Sequence, residues 1–148
     1  MSLGSEVRKT SLFLIWTILT TASIFDAKSY RIPNQLIILG YGAGICLNLE
    51  AYGMMGIAYF ILKAAWPIFA LSLLYILGKG LGAGDIKLFS VMSSVVGSQL
   101  TVDVMVTSVI IAGIVILVLS LYRKQLIKGK LHYSFYMTAA FFLLQFKS

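Results

Sequence analysis

The chain has 148 residues, of which 59% are hydrophobic and 11% are charged, whereas soluble domains carry about 25% charged residues. This composition excludes an ordinary soluble domain and predicts an integral membrane protein with one domain over residues 1–148. The net charge of +7 does not indicate a nucleic-acid partner, because no basic run is interleaved with aromatic residues. The single cysteine, Cys46, excludes an internal disulfide and a cysteine-based zinc site, and no cofactor is expected.

The first apolar segment covers residues 11–25 and follows a short basic leader. A basic leader before an apolar core is also typical of a signal peptide, but five further apolar segments follow and favour a first transmembrane helix. We expect Asp26 to end this helix. A loop over residues 26–34 comes next, and its Pro33 disfavours helix at the residue before it.

The second and third apolar segments cover residues 35–49 and 54–77. Small residues at a regular spacing predict close contact between helices, and the second segment carries three of them, Gly40, Gly42 and Gly44. The third segment is the longest, and Pro67 is expected to kink it. Lys63 is either an intramembrane functional charge or, as we favour, a long side chain that reaches the interface.

The fourth apolar segment, residues 86–97, is short and follows the stretch Gly82-Ala83-Gly84-Asp85. A helix of this length reaches about 18 Å, whereas the hydrocarbon core of a bilayer is about 30 Å thick. Either the bilayer thins there or neighbouring helices shield the segment, and both would bring water towards Asp85. Gly82 and Gly84 permit unusual backbone conformations and a close approach of a second segment. An acid at the edge of a membrane is a functional candidate, because an unpaired charge is costly there.

The fifth apolar segment covers residues 100–121, and a basic loop over residues 123–130 leads to a sixth segment over residues 132–146. His132 lies in a tyrosine-rich stretch, which is typical of an interfacial aromatic belt rather than of a catalytic base. Together the six segments predict an all-α fold, a bundle of six transmembrane helices.

Basic residues are distributed unequally between the two faces of this predicted bundle. The richer face of a membrane protein is cytoplasmic. That face receives Lys28, Arg31, Lys79, Lys87, Arg123, Lys124, Lys128 and Lys130, whereas the other receives Arg8, Lys9 and Lys147. Asp26 and Asp85 are the carboxylates that fall on the predicted cytoplasmic face, so they share one side of the membrane.

Asp26 and Asp85 could therefore form one site. Two carboxylates held close together share a proton, so that one acts as a base towards water while the other donates a proton to a substrate carbonyl. The alternative is a set of solvated ion pairs, Asp26 with Lys28 or Arg31 and Asp85 with Lys87. Charge placement alone leaves both interpretations open.

Two motifs resemble those of one family, the type IV prepilin peptidases. Residues 26–34, D-A-K-S-Y-R-I-P-N, resemble the family's D-x-x-x-x-x-I-P-N segment, and residues 82–88, G-A-G-D-I-K-L, are similar to its GxGD-x-K-L segment. The resemblance implies a GxGD-type aspartic endopeptidase of the prokaryotic cytoplasmic membrane. It implies catalytic roles for Asp26 and Asp85 and supporting roles for Lys28, Pro33, Asn34, Gly82, Gly84 and Lys87.

The resemblance also implies a substrate. Members of the family remove the basic leader of type IV prepilin or pseudopilin precursors at the cytoplasmic face, in pilus assembly and protein secretion. Larger members carry a further cytoplasmic region with CxxC pairs that is linked to N-methylation. This chain has one cysteine and is similar to the short, peptidase-only branch associated with tight-adherence pili. The expected partners are the precursor and membrane lipid.

Two other interpretations remain open at this point. A presenilin-like or signal-peptide-peptidase-like GxGD protease would add a Pro-Ala-Leu motif in a late span, and the sequence contains none. A non-catalytic membrane subunit or small transporter would use the aspartates to handle protons or to pair basic groups. Retention of function after replacement of aspartate by asparagine would favour this last interpretation.

Overall fold

The computed structural model describes residues 2–29, 31–78, 82–123 and 133–147, and every regular element within these ranges is helical. The elements are α1 (Ser2–Ser29), α2 (Asn34–Tyr52), a 3-10 turn (Gly53–Met55), α3 (Gly56–Gly78), α4 (Ala83–Val96), α5 (Ser98–Arg123) and α6 (Tyr133–Lys147). The predicted all-α class is confirmed. His132 and residues 124–130 of the basic loop lie outside the described residues, so the expectations for them stay predictions.

The number of membrane spans is a separate question from the number of helices. Within the described ranges, three stretches are long and apolar enough to cross a membrane: Glu6–Ser29, Asn34–Leu73 and Ser98–Leu121. The second of these stretches runs through both α2 and α3. Length and hydropathy thus support a membrane protein, whereas the six-span layout stays a prediction.

Large apolar side chains cover the outward faces of the helices. Leu39, Phe69 and Leu121 are at least 70% exposed, and many other leucine, isoleucine, valine and phenylalanine side chains on the same faces are exposed as well. A soluble protein rarely exposes apolar surface on this scale. Lipid is therefore the natural surrounding of these faces.

Helix α4 lies at the centre of the bundle. It packs against α1, α2, α3 and α5, and its side chains are buried from Leu88 to Val95. With 14 residues it is about 21 Å long, less than the thickness of the hydrocarbon core. The sequence left two possibilities open, thinning of the bilayer or shielding by neighbouring helices. The packing of four helices around α4 supports shielding from lipid.

Two of the three glycines in α2 allow its close packing on α4. A Cβ atom at Gly40 would overlap the Val91 side chain, and one at Gly44 would lie 2.6 Å from the Ser94 hydroxyl oxygen. A Cβ atom at Gly42 would meet nothing within 4 Å. The predicted close helix contact is confirmed at Gly40 and Gly44 and is wrong at Gly42.

Polar contacts join α3 to both α2 and α4. The Ser90 hydroxyl donates to the Ala64 carbonyl at 2.7 Å. Lys63 Nζ donates to Asn48 Oδ1 at 2.8 Å and lies 5.1 Å from the centre of the Tyr52 ring. Because Tyr52 ends α2, Lys63 points towards the turn between α2 and α3, in the direction expected of a side chain that reaches an interface.

Candidate active site

Asp85 lies in the first turn of α4, just before the fourth apolar segment, and is 8% exposed. Its Oδ2 atom accepts a hydrogen bond of 3.1 Å from the backbone N–H of Gly82, the N-cap residue of the helix. The first backbone N–H groups of a helix have no acceptor within the helix, and an acidic side chain at this position accepts a hydrogen bond from one of them. The same carboxylate is therefore both a helix cap and a buried ionisable group.

The two glycines of the GxGD stretch do not adopt unusual backbone conformations, and space explains the first of them. Gly82 has a φ of −80°, and Gly84 lies within α4, so the expected unusual backbone conformations are wrong. A Cβ atom at Gly82 would lie 2.9 Å from Asp85 Oδ2, and one at Gly84 would lie 3.4 Å from Ile32 Cδ1. Gly82 thus leaves room for the carboxylate, whereas a Cβ atom at Gly84 would make an ordinary van der Waals contact with Ile32 of the segment between α1 and α2.

Burial changes the acidity of Asp85. Desolvation raises its pKa to about 6, the hydrogen bond from Gly82 opposes this rise, and the negative charge of Asp26 adds to it. The two aspartates therefore lie within electrostatic range of each other. A carboxyl group with this pKa gains and loses a proton near neutral pH, as a general acid or base must.

Asp26 lies in the last turn of α1, which continues to Ser29, so the expectation that Asp26 ends the helix is wrong by about one turn. The side chain is partly buried, and its Oδ2 atom accepts a hydrogen bond of 2.7 Å from the Ser134 hydroxyl of α6. Within the described residues, one ion pair is formed, between Lys9 and Glu6. The alternative in which the aspartates form ion pairs with neighbouring basic residues therefore does not describe this structure.

The segment after Asp26 and the GxGD stretch meet at the same end of the bundle. Lys87 Nζ donates to Asn34 Oδ1 at 3.3 Å, and Ile32 lies against Gly84. Pro33 is the N-cap residue of α2, and its carbonyl accepts hydrogen bonds from the first turn of that helix. The two motifs therefore meet through Asn34 with Lys87 and through Ile32 with Gly84, while the side chain of Lys28 is exposed.

The first turn of α6 contributes two buried residues that the sequence analysis missed. Tyr133 shares a hydrogen bond of 2.8 Å with Ser108 of α5, and its hydroxyl lies within electrostatic range of Asp85. Its neighbour Ser134 donates to Asp26, as described above. The sequence signal was weak, because a tyrosine-rich helix start is equally typical of an interfacial belt.

A cavity of about 340 Å³ lies at the other end of the bundle. Residues from the start of α1, the end of α4 and the start of α5 form its walls: Arg8, Ser11, Leu12, Val96, Gln99, Leu100 and Asp103. Asp26 and Asp85 lie at the opposite ends of α1 and α4. The cavity is therefore separate from the candidate active site.

Comparison with known proteins adds one match. The type IV leader peptidase family matches residues 12–119, which include most of the chain and both aspartates. No curated protein and no solved structure matches the chain. A family of peptidases implies hydrolysis of a peptide bond. The resemblance of the two motifs is thus confirmed at the level of the family, and the chain belongs to the type IV leader peptidase family.

Proposed function

We propose that the protein is a membrane aspartic endopeptidase that removes the leader peptide of type IV prepilin or pseudopilin precursors. Asp26 and Asp85 are its catalytic pair. The observation that carries the proposal is the buried Asp85, whose pKa of about 6 is raised by desolvation and by Asp26, in a chain of this family. A carboxyl group in this state is able to exchange protons with water and with a peptide carbonyl under cellular conditions.

The chemistry follows from two carboxyl groups that hold one proton between them. The ionised carboxylate takes a proton from water, whose oxygen attacks the scissile carbonyl carbon, and the protonated carboxyl donates its proton to the carbonyl oxygen. When the resulting diol collapses, the C–N bond breaks and the nitrogen takes the proton removed from water. The other carboxyl group recovers its proton from the diol hydroxyl, so the pair returns to its starting state.

The proposed substrate matches the depth of this pair. A prepilin leader is basic and the helix that follows it is apolar, so the precursor places its leader at the membrane surface and its helix in lipid. The junction then lies at the depth of Asp26 in the last turn of α1 and Asp85 in the first turn of α4. The excess of basic residues on this side supports a cytoplasmic active site.

A cleavage assay tests the proposal. The purified protein is reconstituted in lipid vesicles with a candidate prepilin, and the masses of the products are measured by mass spectrometry. We expect one cut between the leader and the apolar helix, and we expect Asp85→Asn to remove it. If this variant cleaves at the parental rate in a preparation free of other peptidases, the proposal is refuted and a non-catalytic membrane subunit is favoured.

A further inference from the structure

The cavity at the end of the bundle opposite to Asp26 and Asp85 has no part in the proposed function. Its volume of about 340 Å³ lies at the lower end of the range of about 300 to 1,000 Å³ that is typical of sites for small molecules. Arg8 of α1 and Asp103 of α5 both line it. A cavity of this size with a cation and an anion in its walls is a candidate binding site.

The cavity lies at the depth of lipid headgroups. Arg8 is in the first turn of Glu6–Ser29 and Asp103 is in the second turn of Ser98–Leu121, two stretches that are long and apolar enough to cross a membrane. Both side chains therefore lie where these helices enter the bilayer, at its polar boundary. The groups that surround a membrane protein at this depth are water and the headgroups of lipids.

The two charged side chains of the cavity do not neutralise each other. Within the described residues, one ion pair is formed, between Lys9 and Glu6, and the side chains of Arg8 and Asp103 take part in no ion pair or hydrogen bond. Each of these two charges is therefore available to a ligand group of the opposite sign. A ligand that meets both carries an anionic and a cationic group.

The rest of the lining fits a ligand that is partly polar and partly apolar. Gln99 adds an amide, which can donate to a phosphate and accept from an ammonium group. Leu12, Val96 and Leu100 supply apolar walls. The Ser11 hydroxyl donates to backbone carbonyls of its own helix, so it has no proton left for a ligand. The polar contacts of the ligand therefore fall to the two charged side chains and the amide.

We propose that this cavity binds the headgroup of a phospholipid that carries a phosphate and a primary ammonium group, as phosphatidylethanolamine does. Arg8 donates to the phosphate, since a guanidinium can bind phosphate oxygens through two parallel hydrogen bonds. Asp103 accepts from the ammonium group, because a carboxylate only accepts hydrogen bonds. The bound headgroup thus joins α1 to α5. This inference does not depend on the proposed function.

A lipid fits this site better than a soluble molecule with the same two charges. The apolar walls of the cavity would contact the glycerol and the first methylene groups of a lipid. One turn further along α5 from Asp103, the side chain of Val106 is 52% exposed and offers apolar surface to an acyl chain. A soluble zwitterion would leave these apolar surfaces without a partner.

The test measures lipid binding by native mass spectrometry. The delipidated protein in detergent is mixed with equal amounts of phosphatidylethanolamine, phosphatidylcholine and phosphatidylglycerol that have the same acyl chains. Phosphatidylcholine has the same net charge as phosphatidylethanolamine, but its quaternary ammonium has no N–H to donate, and phosphatidylglycerol has no cationic group. We expect the parent to bind one molecule of phosphatidylethanolamine about tenfold more tightly than either of the other lipids.

Three variants assign the contacts. Arg8→Gln should lower the affinity for phosphatidylethanolamine about tenfold, because it removes the charged partner of the phosphate. Asp103→Asn should remove the preference for phosphatidylethanolamine over phosphatidylcholine. Lys9→Gln is the matched control, since it removes the neighbouring positive charge, which is paired with Glu6 and does not line the cavity. This control should bind all three lipids as the parent does.

Two results from these measurements would overturn the inference: equal binding of the three lipids by the parent, or equal losses of affinity in Arg8→Gln and Lys9→Gln. Free O-phosphoethanolamine has the same two charged groups without acyl chains, and at equal concentration it should not displace the lipid. Displacement would show a site for a soluble zwitterion and would refute the assignment to a lipid. Added phosphatidylethanolamine should also raise the Tm of the parent and of Lys9→Gln more than that of Arg8→Gln, and equal shifts in Tm would contradict the site.

Discussion

Replacing Asp85 with asparagine should stabilise the protein while removing its proposed activity. The asparagine side chain has nearly the shape of aspartate, and its amide oxygen can still accept the 3.1 Å hydrogen bond from the Gly82 N–H. The substitution therefore keeps the start of α4 and removes a charge from a position that is 8% exposed. Burying an ionised carboxylate is costly, so its loss should favour the folded state.

The size of the effect follows from the raised pKa of Asp85. Folding raises the pKa of this carboxyl group from its ordinary value of 3.8 to about 6, which corresponds to about 3 kcal/mol. The folded state binds the proton more tightly than the unfolded state, so stability falls as the pH rises from 3.8 to about 6 and then levels off. Asp85→Asn does not lose this stability, so above about pH 6 its free energy of unfolding should exceed that of the parent by up to about 3 kcal/mol.

The assay is unfolding of the detergent-solubilised protein by denaturant at a series of pH values between about 4 and 8. The stability difference between Asp85→Asn and the parent isolates this one carboxyl group. It should be small at the acidic end and reach about 3 kcal/mol at the basic end. Asp103→Asn removes an exposed charge at the start of α5 and should change stability little. A difference that does not grow with pH would refute the reasoning about desolvation.

Three further predictions concern the catalytic pair, the packing of α2 and the orientation of the chain. Asp26→Asn and Asp85→Asn should each lower kcat on the order of a thousandfold, and the double variant should be little worse, since the losses of kcat from residues that act as one unit do not add. Additive losses in the cleavage assay would contradict a shared proton. Gly40→Ala should cost about 1 to 3 kcal/mol in a denaturant titration because its Cβ overlaps Val91, whereas Gly42→Ala should cost far less, and equal costs would contradict the packing. A single cysteine at Lys28 should react with an impermeant thiol reagent only in inverted vesicles, and labelling of intact cells would reverse the proposed orientation.

Much of the helical framework could be predicted from the sequence, because apolar runs separated by polar turns are a local signal. The fourth segment shows where that signal ends. Its shortness was visible as a run of 12 residues from Ile86 to Gly97, all apolar or small except Lys87, but two explanations fitted it equally well. Burial of α4 by four other helices decides between them, and that burial depends on contacts far apart in the chain.

The candidate site was predictable to the same extent. Asp26 and Asp85 lie in motifs with recognisable spacing, whereas Ser134 lies in an apolar helix where a serine has many possible roles. Its hydrogen bond to Asp26 joins residues 108 positions apart, so no local sequence pattern predicts this contact. For the glycines before Asp85, the expected unusual backbone conformation is wrong, whereas the expected close approach of a second segment is seen at Gly84, which lies against Ile32 of the segment between α1 and α2.

A third helix contacts the candidate site besides the two that carry its aspartates, because Ser134 of α6 donates to Asp26. α1 and α4 bring two carboxylates within electrostatic range of each other. The first turn of α6 offers a hydroxyl to Asp26, whereas Asp85 accepts its hydrogen bond from the N-cap residue of its own helix. The path of the chain after α5 therefore adds to the candidate site a contact that lies outside both motifs.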